Sequence, residues 1–152
     1  MFFCCLYFEN EPENANFNYR KGYALLKSTG GYEEAIPHLE KAVKSASKIY
    51  DIFSHKEEDA SIESYFYLGR CYHLGNNIEK ARENYELFQN KAPNSSELLG
   101  DAELMLTQCD VAEEFLKNPR KYEMVNLGKT INSDAPEYSP VVSLDGQALY
   151  FT

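Results

Sequence analysis

Positive charge is what this chain most lacks. Its 152 residues hold 15 Lys and Arg against 24 Asp and Glu, a net charge of -9 and a pI near 4.8. No basic stripe offsets that balance, so the chain would repel a phosphate backbone, and nucleic acid is excluded as an expected partner. Long hydrophobic runs are missing as well. The apolar stretch 1–8, MFFCCLYF, is too short to span a bilayer. It also lacks the basic start and small-residue cleavage site of a signal peptide. Cysteine is sparse, at positions 4, 5, 71 and 109. Adjacent Cys4 and Cys5 are awkward partners for each other, and Cys71 and Cys109 fall within helical patterns. Buried or partly buried thiols are therefore expected, and the cysteine count leaves the redox compartment open.

Catalytic constellations are absent too. The chain shows no Ser-His-Asp arrangement, no nucleophile elbow and no phosphate-binding glycine loop. Cys71 and His73 stand two apart, about 200° around a helix, and cannot grip one metal ion from the same helix. His38 and His55 have no cluster of ligands near them in sequence. Glu57-Glu58-Asp59, in a Lys-flanked and Ser-rich stretch, reads as a solvated loop and not as a pair of catalytic acids. Asn94-Ser95-Ser96 fits a glycosylation acceptor, but helix capping explains it with less assumption. The resulting expectation is a non-enzyme without a cofactor or a metal.

What is present is helical period. With 43% hydrophobic and 26% charged residues the composition is that of an ordinary soluble domain. Between residues 65 and 93, Tyr65, Leu68, Tyr72 and Leu74 recur at helical spacing, with Gly69 leaving room for a close helix crossing. Gly75-Asn76-Asn77 breaks that helix. Ile78, Ala81, Tyr85 and Phe88 then mark one face of a second helix that ends before Pro93. This αα-hairpin resembles a tetratricopeptide (TPR) repeat in Tyr65, Leu68-Gly69, Tyr72, Ala81, Tyr85 and Pro93, taken in order and spacing. The fold class implied is mainly α, a TPR-like superhelix of antiparallel helix hairpins, which is a binding scaffold.

An earlier hairpin shows the same marks: Gly22 and Leu25 on its first helix, a Gly30-Gly31 turn, then Ala35, Leu39 and Ala42. Gly22 and Gly69 are more widely separated than the period of about 34 residues allows. One excess residue fits the Gly-Gly turn, and the remainder falls at 50–61, an insertion between repeats. Pro12 stands where a preceding repeat would close, so residues 1–14 read as the tail of a truncated repeat. After Pro93, Asn94 with Glu97 suggests a capping box. A long closing helix is expected to follow, with Leu98, Leu99, Ala102, Leu106, Cys109, Ala112 and Leu116 along one side, ended by Asn118-Pro119. The segments expected are repeats at 15–49 and 62–95, the closing helix at 96–118 and a different unit at 119–152.

That last stretch predicts a β-hairpin around Asp145-Gly146, a pair suited to a two-residue turn with positive φ. A lone hairpin is marginally stable, so it either packs on the helices or begins a larger β domain. The run NLGKTINSDAPEYSPVVSLDGQALYFT is similar to the first strands of a WD40-like β-propeller of the TolB kind. TPR-like helices followed by such a tail resemble the front half of envelope proteins in Bacteroidetes-type bacteria that end in an OmpA-like domain. Some members of that family belong to the type IX secretion apparatus. The resemblance implies a periplasmic or outer-membrane-associated scaffold whose partners are proteins or peptide segments, envelope secretion components among them. A cytoplasmic adaptor with its tail folded back on the helices is the alternative.

In a TPR-like array the first helix of each hairpin lines the concave face. Here those positions are Asn16, Tyr19, Tyr23 and Lys27, then Glu63, Phe66, Arg70 and His73. Aromatics interleaved with Lys and Arg suit a partner segment with apolar anchors and an acid, although some of the tyrosines could instead pack within the protein. The Lys and Asn pair with which chaperone-type TPR domains clamp a terminal carboxylate is not matched, because Tyr19 and Tyr23 occupy that helix.

Overall fold

The computed structural model describes residues 11–151 apart from residues 29, 55, 130, 133, 135 and 137. Expectations for residues 1–10, with Cys4 and Cys5, and for His55 lie outside the described residues. Two units emerge, Met1–Pro119 and Arg120–Thr152.

The first unit is a run of helices, each packed on the next. Helix α1 (Ala15–Lys27) starts at Asn14, whose side chain accepts a hydrogen bond from the Phe17 amide at 3.0 Å. Gly30, at φ 78°, turns the chain into α2 (Tyr32–Ala42), which carries Glu33 and Glu34 at its positive end. The second hairpin repeats the plan with α3 (Ser64–Leu74) and α4 (Ile78–Lys91). Its turn places Asn76 at φ 57°, a left-handed conformation that asparagine tolerates, and caps α4 with the Asn77 side chain. Helix α5 (Leu98–Lys117) closes the unit and ends at Asn118.

Both hairpins lock at a glycine. A Cβ on Gly22 would lie 2.6 Å from Leu39 Cγ, and one on Gly69 would lie 2.8 Å from two carbons of the Tyr85 ring. Ala35, Leu39, Ala81 and Tyr85, the residues facing those glycines, are completely buried. The core continues through Phe66, Leu68, Cys71, Tyr72, Ile78 and Phe88. Leu74, expected on that apolar face, is instead exposed, because it is the last residue of α3 and projects past the crossing.

Helix α5 buries Ala102 and Cys109, with Leu98, Leu99, Met105, Leu106 and Ala112 partly covered. Leu116, expected on the same side, is exposed near the free end of the helix. Arg82 on α4 clamps the helix by donating to Asp110 at 2.7 Å and Glu113 at 2.9 Å. The Asn94 capping box does not form. The Ser96 amide donates to the Pro93 carbonyl in a turn, so α5 starts three residues later than that cap requires, with Glu97 at its head.

Between the hairpins the chain leaves α2 through a short 3-10 turn, Val43–Ser45, and is closed by a two-residue parallel ladder. Strand β1 (Ala46–Ser47) pairs with β2 (Ala60–Ser61), and the Ile62 amide donates to the Ser47 carbonyl. The loop is fastened to α1. Asn16 takes the Glu58 carbonyl with its backbone amide and the Glu57 carbonyl with its side chain, and Arg20 donates to the Ile52 carbonyl at 2.7 Å. Glu57 and Asp59 are accordingly half-buried, so the acidic run is a packed element and only Glu58 faces solvent fully.

In the second unit β3 (Val141–Val142) pairs antiparallel with β4 (Leu149–Tyr150). The connecting loop is wider than the predicted two-residue turn. The Ser143 amide reaches the Ala148 carbonyl, and Gly146 alone of the Asp-Gly pair takes a positive φ, 71°. The Ser143 hydroxyl sets this geometry by donating to Asp145 and accepting from the amides of Gln147 and Ala148. The Ser143 hydroxyl first, then the Gln147 amide, which also donates to Asp145, hold the Asp145 carboxyl below its usual range.

Candidate binding groove

Helices α1 and α3 meet through tyrosines. The Tyr23 and Tyr67 rings lie edge to face at 4.8 Å, and Tyr19 contacts both Tyr67 at 6.4 Å and Tyr50 at 5.7 Å. The Tyr19 hydroxyl donates to Glu63 at 3.2 Å. Burial first, then the Glu63 charge, raises the phenols of Tyr19 and Tyr67 far above their ordinary range, so both stay protonated donors.

The eight groove residues therefore divide. Asn16, Tyr19 and Phe66 are buried. Asn16 is a hub for the insertion, accepting from Arg20 Nε and the Tyr50 hydroxyl, both at 2.9 Å. Phe66 packs on Tyr85 and Phe88. Tyr23, Glu63 and His73 are half-buried, whereas Lys27 and Arg70 are exposed. The Lys27 ammonium sits 5.3 Å from the Tyr23 ring centre, a cation–π placement that leaves its charge at the surface.

Arg70 and His73 converge on a cavity of about 230 Å³ with Leu74, Tyr85 of α4, and Met105 and Gln108 of α5. The Tyr85 hydroxyl is buried and has no hydrogen-bond partner among the described residues. An unsatisfied buried hydroxyl is a standing cost of roughly 1–3 kcal/mol. Burial, followed by the nearby Cys109, raises the Tyr85 phenol far above its ordinary range. Burial lowers the His73 pKa, leaving a neutral imidazole that both donates and accepts near pH 7. Arg70 joins none of the ion pairs among the described residues. The cavity thus combines a cation, two neutral polar groups and an apolar lining. Of the residues around it, Arg70 and His73 belong to the groove expected from the sequence, whereas Gln108 and Met105 come from a different element more than thirty positions away. Tyr85 read only as core.

A second cavity, of about 480 Å³, lies by the start of α1 among Glu11, Glu13, Glu58 and Asp59. Glu13 is paired with Lys41 at 2.6 Å, and that bond lowers its pKa. No three His, Cys, Asp or Glu among the described residues are placed to hold a metal ion. Cys71 and Cys109 are buried free thiols. Burial pushes Cys71 up to about 11, which suits packing and not nucleophilic attack. Among the described residues no helix is long and apolar enough to cross a membrane.

The decisive comparison concerns the second hairpin, whose residues 63–95 match the model of the tetratricopeptide repeat. The chain carries a TPR repeat. No curated protein and no solved structure matches it. The matched residues include Gly69, Ala81, Tyr85 and Pro93, so the glycine crossing described above is the crossing of a TPR hairpin. TPR repeats are protein-interaction scaffold elements, and this one supplies Arg70, His73 and Tyr85 to the cavity.

Proposed function

We propose that the chain is a non-enzymatic scaffold that holds a partner segment along the exposed edge of its first helices, with the Arg70–His73 cavity as the anchoring point. The observation that carries this reading is the Tyr85 hydroxyl, unsatisfied among the described residues, beside Arg70, which forms no ion pair among them, in a cavity built partly from the TPR hairpin. A partner side chain ending in a carboxylate would complement Arg70, take a bond from neutral His73 or Gln108, and rest its stem on Leu74 and Met105. Tyr23 and Lys27 extend the surface away from that anchor, while Asn16, Tyr19 and Phe66 support it from within.

For setting, we propose a bacterial cell-envelope assembly, periplasmic or associated with the outer membrane and related to type IX secretion. This rests on the resemblance of residues 126–152 to the start of a TolB-like propeller placed after TPR-like helices. Affinity purification from envelope extracts with the wild type and with Tyr23→Ala plus Arg70→Ala tests the scaffold reading. Loss of specific partners from the variant is the expected result. An unchanged partner set refutes the groove, and absence of the native protein from the envelope fraction refutes the setting.

A further inference from the structure

Helix α5 has two apolar faces. One, through Ala102 and Cys109, is buried in the first unit. The other carries Leu104, Val111 and Phe115, which are 53%, 48% and 56% exposed. At 3.6 residues per turn these three side chains lie within about 40° of one another and span about 17 Å of helix. Terminal elements of repeat arrays normally turn a polar face outward, and this one sets these three large apolar side chains, with Gln108 among them, into its exposed polar surface. Gly100 begins the stripe one turn before Leu104, and a Cβ there would meet nothing within 4 Å. At Gly22 and Gly69 the equivalent space is filled by a residue of the following helix, so the Gly100 end of α5 has room for a helix to approach as closely. Exposed carboxylates surround the stripe: Glu97 at its N-terminal end, Asp101 on one side, Glu103 and Glu114 on the other. None of the four belongs to an ion pair among the described residues.

We propose that the outer face of α5 is a second docking surface, adjoining the groove cavity at Gln108, and that its occupant is a partner helix of about three turns with an apolar stripe edged by Lys and Arg. The acidic borders favour that occupant over a second copy of this chain, whose own α5 would bring the same carboxylates together. Leu104, Val111 and Phe115 supply the apolar contact, and Gly100 lets the backbones come close at one end.

A dye-labelled helical peptide of about 15 residues, stapled and carrying a leucine stripe flanked by lysines, serves as the probe. Fluorescence anisotropy with the full chain should show binding that weakens with salt. A peptide of the same composition with its stripe scrambled should bind at least about tenfold more weakly, as should the striped peptide to the Leu104→Gln plus Phe115→Gln variant. Both substitutions leave the protein's charge unchanged, and neither should lower the melting temperature, because both side chains are half exposed. Arg70→Ala should bind the probe as the wild type does, so failure here and failure of the groove remain distinguishable. Equal binding of the scrambled peptide overturns the proposal by making the attraction purely electrostatic. So does a dimer in sedimentation equilibrium that Leu104→Gln plus Phe115→Gln dissolves, and so does protection of the stripe in the isolated monomer, which would mean the chain covers it unaided.

Discussion

Replacing Gly69 by alanine sets two known effects against each other. In a helix interior alanine is favoured over glycine by roughly 1 kcal/mol, mostly through backbone entropy. At Gly69, however, the new methyl would sit 2.8 Å from Tyr85 Cδ1 and Cε1 and 3.2 Å from the Ala81 carbonyl oxygen. The ring is completely buried, and its neighbour Phe66 lies 5.8 Å away centre to centre, so neither ring nor backbone can retreat cheaply. Overpacking of this kind costs about 1–3 kcal/mol. The clash should win, and a net loss of up to ~2 kcal/mol corresponds to a fall of up to several degrees in melting temperature. Gly100→Ala is the matched control, because the same methyl there meets nothing and should stabilise by up to ~1 kcal/mol. Urea denaturation of both variants gives the signs directly. Adding Gly69→Ala to a Tyr85→Ala background should remove its cost, a coupling of ~1–3 kcal/mol in the double-mutant cycle. If the two alanine variants shift stability in the same direction by the same amount, the steric account of the hairpin lock is wrong.

Three further outcomes are expected. Asn16→Ala removes the side-chain bonds to the Glu57 carbonyl, Arg20 and Tyr50, and should cost ~2–3 kcal/mol while opening the 50–58 stretch to limited proteolysis. Tyr85→Phe deletes a buried hydroxyl without a partner, so stability should hold or rise by up to ~2 kcal/mol even though the residue has no exposed surface. His38 and His73 both have folded-state pKa values below the ordinary histidine range because burial disfavours the cation. The unfolded chain therefore binds these protons first, and stability should fall as pH drops below about 6.5. Melting curves of His73→Gln should show a weaker decline over that range.

Much of the helical architecture was legible because its determinants are side chains with fixed periods. Gly22 and Gly69, with Ala35, Leu39, Ala81, Tyr85 and Phe88, occupy the positions their spacing predicts, and the turn residues at 30–31 and 75–77 mark the breaks. The packing of the insertion was not legible. Its anchors are the backbone carbonyls of Ile52, Glu57 and Glu58, which every residue possesses and no sequence advertises. The sides of α3 were equally hard to tell apart. A helix with Tyr65, Phe66, Tyr67, Leu68, Cys71 and Tyr72 is apolar nearly all round, so period alone cannot say that Phe66 goes in while Arg70 and His73 stay near the surface. The cavity needed α5 to complete it, and Gln108 and Met105 become neighbours of His73 only through the fold.

The parallel pairing of Ala46–Ser47 with Ala60–Ser61 makes the connection between the two hairpins a closed side branch. The geometry of the array is fixed where the branch leaves and rejoins, so the number of residues inside it carries little information about the repeats. For a flexible loop, doubling the length adds only about 0.6 kcal/mol of closure entropy. The branch is therefore a natural grafting point. A reporter peptide inserted beside Phe53, which is 92% exposed, would ride on the array while the Asn16 and Arg20 contacts on either side stay in place.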